Sequence, residues 1–231
     1  MSKSYHPGLF VKPDFTHLVI GMLVFGALWG MSEVALGGIL GTIGFPYRAG
    51  LLTGIGMGIL ALAYAIYRNA TMLLGIGLVA AAVNLLGVPI LHLTIMCKAN
   101  SLIAIGAEAT GLSVMVAILM RKSGGNVYLR MACGGAAAIL ASVGFYLIGT
   151  HVAPCQYLSS FANTGAFVVK EGLVWAAFAA IFVPLGYIAG EKLSARFPAV
   201  NRGRTIAYYA GVSGIFIVSI AVSSLAVVTG L

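Results

Sequence analysis

Residues 99–120 read ANSLIAIGAEATGLSVMVAILM, an apolar run with a single ionisable side chain, Glu108, near its middle. About 20 predominantly apolar residues in a helix cross the hydrocarbon core of a bilayer. The run therefore predicts a membrane-spanning helix. A carboxyl group inside such a helix is costly and needs a specific reason, because an acid at the bilayer centre costs at least about 2.5–3.5 kcal/mol.

The composition of the whole chain agrees with this interpretation. Of its 231 residues, 61% are hydrophobic and only 8% are charged. Soluble domains are about half apolar and about a quarter charged, so the chain does not resemble a soluble domain. Long apolar runs without alternation favour helices over a closed barrel. The fold class expected is an all-α, polytopic helical bundle forming one integral membrane domain over residues 1–231.

Turn-forming residues divide the chain into about seven predicted transmembrane helices. The spans are expected at 16–38, 49–67, 70–93, 99–120, 128–149, 166–189 and 205–229. Residues 1–15 form a predicted cytoplasmic N-terminal segment. Glycine and proline clusters, such as GTIGFPYR and RKSGGN, mark the joints.

The positive charges predict the orientation of these spans. With the N-terminus in the cytoplasm, ten lysines and arginines lie inside and three lie outside. Cytoplasmic loops carry such an excess, so we expect an N-in, C-out protein in the cell (inner) membrane. The net charge of +8 then reflects topology, and nucleic-acid binding is not expected.

Polar residues recur at one predicted depth, in the outer half of the membrane. Ionisable groups there face the bundle interior, pair with each other or line a wet cavity. We therefore predict a polar pocket open to the outside. Its candidate substrate-binding residues are Glu33, Arg48, His92, Lys98, Asn100, Glu108, Lys170 and Glu171.

Each candidate also has a structural interpretation. Lys98 and Arg48 lie near the outer interface, where snorkelling can explain a base. Glu33 can form a hydrogen bond between helices. Neighbours Lys170 and Glu171 point about 100° apart, so one of them at most faces the pocket squarely. The histidines and cysteines lack the spacing of a haem or metal motif, so no metal and no cofactor are predicted.

No catalytic motif is visible, and the glycines look like packing residues. The chain has no GxSxG, HExxH or phosphate-loop pattern, so no enzyme activity is expected. Gly26 and Gly30 form a small-residue stripe on the first span, and Gly54 and Gly58 form one on the second. Such stripes let helices approach closely, either within a chain or against another subunit.

Three segments together resemble the membrane-embedded substrate-binding (S) components of energy-coupling factor (ECF) transporters. They are LWGMSEVALGGILG, FPYRAGLLTGIGMGILALA and IMCKANSLIAIGAEATG, and the resemblance is strongest over residues 20–120. It points to a branch with a WGxxE signature in the first helix and an acidic residue in the fourth.

The resemblance implies a bundle of about six helices that holds a vitamin or a metal ion in an outward-facing pocket. Trp29, Glu33, Arg48 and Glu108 would line or close that pocket, and Gly26 and Gly30 would dock an ECF transmembrane subunit that works with two ATPases. The helix at 205–229 would be an addition to the family's usual six. The cobalt and nickel members use a histidine near an outward N-terminus. Here the charge count places His6 on the inside, which disfavours the metal subtype.

Two functions from different classes follow. The first is a small-solute binding subunit of an ECF-type uptake transporter. The second is a non-catalytic anchor subunit of a respiratory or extracytoplasmic enzyme complex, with a lipid or quinone in the pocket. A weaker third option is an ion-coupled carrier that uses Glu108 and Lys98. The expected partners are other membrane subunits, lipid and a small-molecule ligand.

Overall fold

The fold is all-helical wherever it is described in a computed structural model of the chain, which covers residues 15–86, 88, 95–120, 126–196 and 205–229. No strand occurs in these ranges. The predicted site residue His92 and the predicted N-terminal segment, apart from its last residue, lie outside them. The all-α prediction is confirmed for the described part.

Ten helices form the described framework. They are α1 (Phe15–Met31), α2 (Gly37–Thr42), α3 (Arg48–Tyr67), α4 (Met72–Asn84), α5 (Ala99–Met115), α6 (Val127–Val152), α7 (Gln156–Ser159), α8 (Thr164–Phe167), α9 (Leu173–Arg196) and α10 (Thr205–Val228). π-helical turns at Ser32–Leu36 and Val168–Gly172 join α1 to α2 and α8 to α9, and a third, Val116–Met120, extends α5.

Five of the helical segments are long and apolar enough to cross a membrane. They are Phe15–Thr42, Arg48–Tyr67, Ala99–Met120, Val127–Val152 and Thr164–Ser194. Two further apolar stretches, Met72–Asn84 and Ser213–Ala226, are shorter among the described residues. The chain is therefore a multi-pass membrane protein. A seven-span count and the N-in, C-out orientation stay predictions.

The helix boundaries follow the apolar runs closely in some places and poorly in others. The spans expected at 49–67 and 99–120 agree with the observed helices to within one residue. The first helical segment continues to Thr42, beyond the predicted end at 38, because Gly37 and Gly38 at the start of α2 do not interrupt the helix. It ends before Gly44, whose φ of +65° is a conformation that glycine adopts readily.

Six long helices form a closed ring in the order α1, α4, α5, α6, α9 and α3, with α3 returning to α1. Helix α3 also contacts α5 across the centre of this ring. Helix α10 packs against the outside, mainly on α1. The ring thus places α1, α3 and α5 around a shared interior, and α10 is peripheral.

Glycines allow the closest contact of the ring, between α3 and α9. A Cβ on Gly186 would overlap the backbone carbonyl of Gly58, and one on Gly54 would lie 2.9 Å from the Cβ of Phe178. Backbones that approach this closely pack tightly without needing a hydrophobic driving force in lipid. The stripe of Gly54 and Gly58 is therefore an internal packing face.

The predicted docking stripe on α1 also has a partner inside the chain. A Cβ on Gly26 would overlap Val79, and one on Gly30 would lie 2.6 Å from the Cβ of Val83. Both valines belong to α4, so these glycines serve the α1–α4 contact. A role in docking another subunit stays a prediction.

Candidate functional site

Glu33 and Glu108 lie at matching depths in their two helical segments. Glu33 is nine residues before Thr42, where its helical segment ends, and Glu108 is nine residues after Ala99, where α5 begins. At 1.5 Å per residue each acid lies about 14 Å from its helix end. This depth approaches the middle of a hydrocarbon core about 30 Å thick.

Glu108 is almost completely enclosed, with 3% of its surface exposed. The hydroxyl of Thr53, on α3, donates a hydrogen bond of 2.8 Å to its Oε1. Its Oε2 is buried and has no hydrogen-bond partner in the structure. A buried polar atom without a partner is rare and costs free energy, so this oxygen calls for a ligand, a water or a proton.

Glu33 reaches the same region from α1. It lies within the π-helical turn Ser32–Leu36, and the indole Nε1 of Trp29 donates a 3.3 Å hydrogen bond to its Oε1. Trp29 is fully buried. π-helical turns within helices occur frequently at functional sites, because the extra residue re-aims neighbouring side chains.

Gly56 of α3 is the point at which these groups meet. A Cβ at Gly56 would overlap the Trp29 indole and lie 3.1 Å from Oε2 of Glu108. On the other side, a Cβ at Gly77 of α4 would lie 3.8 Å from the same indole. The absence of a side chain at Gly56 thus brings the unpartnered oxygen and the Trp29 ring together. We call Trp29, Glu33, Thr53, Gly56 and Glu108 the carboxyl-pair site.

Glu33 and Glu108 converge on the same point of the structure. The Trp29 Nε1 that donates to Glu33 and the Oε2 of Glu108 would both contact a Cβ at Gly56. In the described part of the chain, neither acid forms an ion pair with a lysine, arginine or histidine. Two adjacent acids without a base form a site of negative potential in a medium that screens charge poorly. Such a site favours a bound cation or proton.

The predicted basic residues have surroundings of their own. Arg48 is exposed at the start of α3, and its Nη1 lies 2.6 Å from the position of a Cβ on Gly41. Lys98 is half-buried and precedes α5. Asn100 has a buried Oδ1 without a hydrogen-bond partner, next to Gly149 on α6. None of these three side chains has an observed contact with Glu33 or Glu108.

Lys170 and Glu171 belong to a second group, beside the connection between α6 and α9. The Lys170 Nζ lies 5.5 Å from the centre of the Phe161 ring, and Glu171 lies beside Tyr157. Burial and the neighbouring Glu171 raise the pKa of Tyr157. Of the residues predicted to share one pocket, Trp29, Glu33 and Glu108 are brought together, whereas Lys170 and Glu171 have other neighbours.

Two members of the carboxyl-pair site, Thr53 and Gly56, did not stand out in the sequence. Threonine within an apolar helix usually bonds its own backbone, and glycine usually marks packing. The only signal was their spacing of three residues, which puts both on one helix face. That face could be connected to Glu108 only through the tertiary contact of α3 with α5.

A further charged cluster lies at the opposite end of α3. Glu191 of α9 accepts from Arg130 of α6 in a bidentate pair of 3.2 and 3.3 Å, and from Arg68 at 3.4 Å. The Arg130 guanidinium stacks 3.9 Å from the centre of the Tyr187 ring, and Arg68 donates to the Tyr187 hydroxyl. Sequence reasoning gave these arginines a role only in topology, yet they join three helices of the ring.

The carboxyl-pair site does not have the ligands of an ordinary metal centre. No group of three or more histidines, cysteines or acids that could hold a metal ion is present among the residues that the structure describes. The expectation that the chain carries no metal or cofactor stays a prediction.

Comparison with known proteins identifies no relative. No family model matches the chain, and neither a curated protein nor a solved structure matches it. The resemblance to ECF substrate-binding components therefore rests on the short motifs alone.

Proposed function

We propose that this chain is the solute-binding subunit of a membrane uptake system, comparable to an ECF substrate-binding component. It would hold a small polar solute at the carboxyl-pair site and have no catalytic activity of its own. The observation that carries the proposal is the unpartnered Oε2 of Glu108, an acceptor with 97% of its residue enclosed in protein. A buried acceptor of this kind is the sort of group that fixes a ligand in an apolar pocket.

The arrangement of the helices also supports this proposal. S components are bundles of about six helices, and this chain closes a ring of six with α10 outside it. The site is built from α1, α3 and α5, three helices of the ring, so a modest shift among them would open or close it. The N-in, C-out orientation and an inner-membrane location belong to the same proposal.

Binding measurements on the purified, full-length protein test it. Vitamins, nucleobases, amino acids, amines and divalent ions would be screened by their effect on the thermal unfolding midpoint, because a ligand that binds the folded state raises it. We expect at least one solute to stabilise the wild type and to lose its effect in Glu108→Gln and Glu33→Gln. Gly106→Ala is the control on the same helix, since a Cβ there meets nothing within 4 Å.

The proposal fails if no solute stabilises the protein, or if both glutamine variants keep every binding signal at wild-type strength. Each variant must first show a cooperative unfolding transition, so that lost binding is not confused with lost folding.

The competing proposal is an anchor subunit of a larger membrane complex. Helix α10 favours it, because this helix lies outside the ring of six and packs mainly on α1. Co-purification from native membranes separates the two proposals. An ECF transmembrane subunit with ATPases supports the first, and redox proteins support the second.

A further inference from the structure

The charges around the carboxyl-pair site restrict the kind of solute that it could hold. The Trp29 indole that bonds Glu33 and the free Oε2 of Glu108 both face Gly56, and no base pairs with either acid among the residues covered by the structure. With a neutral ligand only bound protons could compensate the two neighbouring carboxyl groups, and an anionic ligand would add to the repulsion. A positive group would relieve it.

The acceptors at the site suit a group with several hydrogen-bond donors. Oε1 of Glu108 is already engaged by Thr53, so Oε2 is the free acceptor on α5. Glu33 supplies a second carboxylate from α1, where it is held by the Trp29 indole. An ammonium group carries three N–H donors and no acceptor, so it can bond to both carboxylates at once.

The surroundings favour an organic cation over a bare metal ion. Calcium takes six to eight oxygen ligands, and magnesium requires nearly octahedral coordination. The site offers two carboxylates and one hydroxyl, and the chain shows no cluster of three metal-ligating side chains in its described part. The fully buried indole of Trp29 provides an aromatic surface beside the free oxygen, and cations bind to such surfaces.

We infer that the carboxyl-pair site binds a small organic cation, with a protonated amine between Glu33 and Glu108 and the Trp29 indole beside it. This inference rests on the proposed function and specifies its substrate class. It also assigns a purpose to the unpartnered Oε2, which would accept a hydrogen bond from the amine.

Protection from chemical labelling tests the inference. Dicyclohexylcarbodiimide activates protonated carboxyl groups in apolar surroundings, and mass spectrometry measures the rate at which the unmodified Glu108 peptide is lost. Both products are counted, the N-acylurea adduct and the propylamide that a primary amine forms with the activated carboxyl group, so that capture by the amine is not taken for protection. The probe is propylammonium chloride, added to the reconstituted full-length protein. The matched controls are 1-propanol, which has the same shape without charge, and sodium chloride at the same ionic strength.

We expect propylammonium to slow the labelling of Glu108 at least fivefold, and the two controls to change it less than twofold. Glu33→Gln should remove most of the protection, because one of the two carboxylates is missing. If the reagent does not label Glu108, the thermal unfolding midpoint tests the inference instead. Propylammonium must raise the midpoint of the wild type and leave that of Glu108→Gln unchanged.

Three results would overturn the inference. Equal protection by 1-propanol would mean that charge is not recognised, and equal protection by sodium would assign the site to an alkali ion. The absence of any effect of propylammonium on labelling and on the midpoint would also overturn it. If the solute screen still finds a neutral or anionic ligand that depends on Glu108, the proposed function stands and only the cation inference fails.

Discussion

Glu191→Gln removes the carboxylate that pairs with two arginines from different helices. Arg130 is 4% exposed, and its Nη1 and Nη2 lie 3.2 and 3.3 Å from the two Glu191 oxygens. The substitution keeps the size of the side chain and one acceptor oxygen. It leaves the Arg130 guanidinium without an opposite charge at the junction of α3, α6 and α9.

The magnitude follows from the exposure of the two partners. Breaking a fully buried ion pair costs about 3–5 kcal/mol, whereas an exposed pair contributes about 0–1 kcal/mol. The Glu191 side chain is 36% exposed and that of Arg130 is 5% exposed, so this pair lies between the two cases. We expect a loss of about 2 kcal/mol, allowing for the glutamine oxygen and for the Tyr187 ring that stays beside Arg130.

Thermal unfolding in detergent, followed by tryptophan fluorescence, measures the effect. For a chain of this size, 1 kcal/mol shifts the midpoint by about 2–4 °C, so Glu191→Gln should lower it by about 4–8 °C. Lys192→Gln is the matched control: Lys192 is exposed on the same turn, and we expect a shift of less than about 2 °C. Adding Arg130→Met to Glu191→Gln should recover part of the loss, because no buried charge is left unpaired.

The reasoning would be refuted if Glu191→Gln and Lys192→Gln had the same small effect, or if the two substitutions in Arg130 and Glu191 were strictly additive. Additivity would mean that the two side chains do not act as a pair.

Two further substitutions test the glycine contacts, each compared with Gly106→Ala, which places a methyl group in open space. Gly186→Ala would force α9 away from the Gly58 carbonyl, and we expect a loss of about 1–3 kcal/mol in unfolding experiments. Gly56→Ala would displace the Trp29 indole, and we expect solute affinity to fall at least about tenfold, equivalent to about 1.4 kcal/mol. Unchanged affinity in Gly56→Ala, with the solute still bound, would contradict the geometry of the site.

Apolar run length predicted the positions of the helices well, because backbone groups in a bilayer must be satisfied within each segment. The span at 99–120 shows this clearly, since its limits agree with the helix. Helix ends that no charged residue marks were harder to predict. GGILGT can either end a helix or continue it, and the outcome depends on the chain reversal at Gly44.

The two acids of the site could be identified from the sequence. Placing a carboxyl group within a span costs free energy, so the group needs a partner or a cavity. Their immediate partners could not. Which face of a helix meets its neighbour depends on helix rotation, and rotation is decided by packing such as that of Gly56 on Trp29. For the same reason, the spacing of Gly26 and Gly30 did not reveal that α4 covers them.

The charged cluster of Arg130 and Glu191 illustrates the opposite problem. Charge counting interprets Arg130 as one of the ten cytoplasmic bases that orient the chain, and Glu191 has no part in that count. Their pairing joins positions 61 residues apart in the chain. A contact at that separation leaves no local signal, and it becomes visible only when α6 and α9 are seen to be neighbours.

The carboxyl-pair site requires Glu33 and Glu108 to lie side by side in the folded chain. Cysteine cross-linking in membranes tests this directly, in a chain carrying Glu33→Cys and Glu108→Cys with its native cysteines replaced by alanine. We predict that a short bifunctional thiol reagent joins the two positions in high yield. The control pair of Glu33→Cys and Glu191→Cys should not be joined, because Glu191 lies in the charged cluster beyond the C-terminal end of α3. No cross-link between positions 33 and 108, or equal cross-linking of both pairs, would contradict the account.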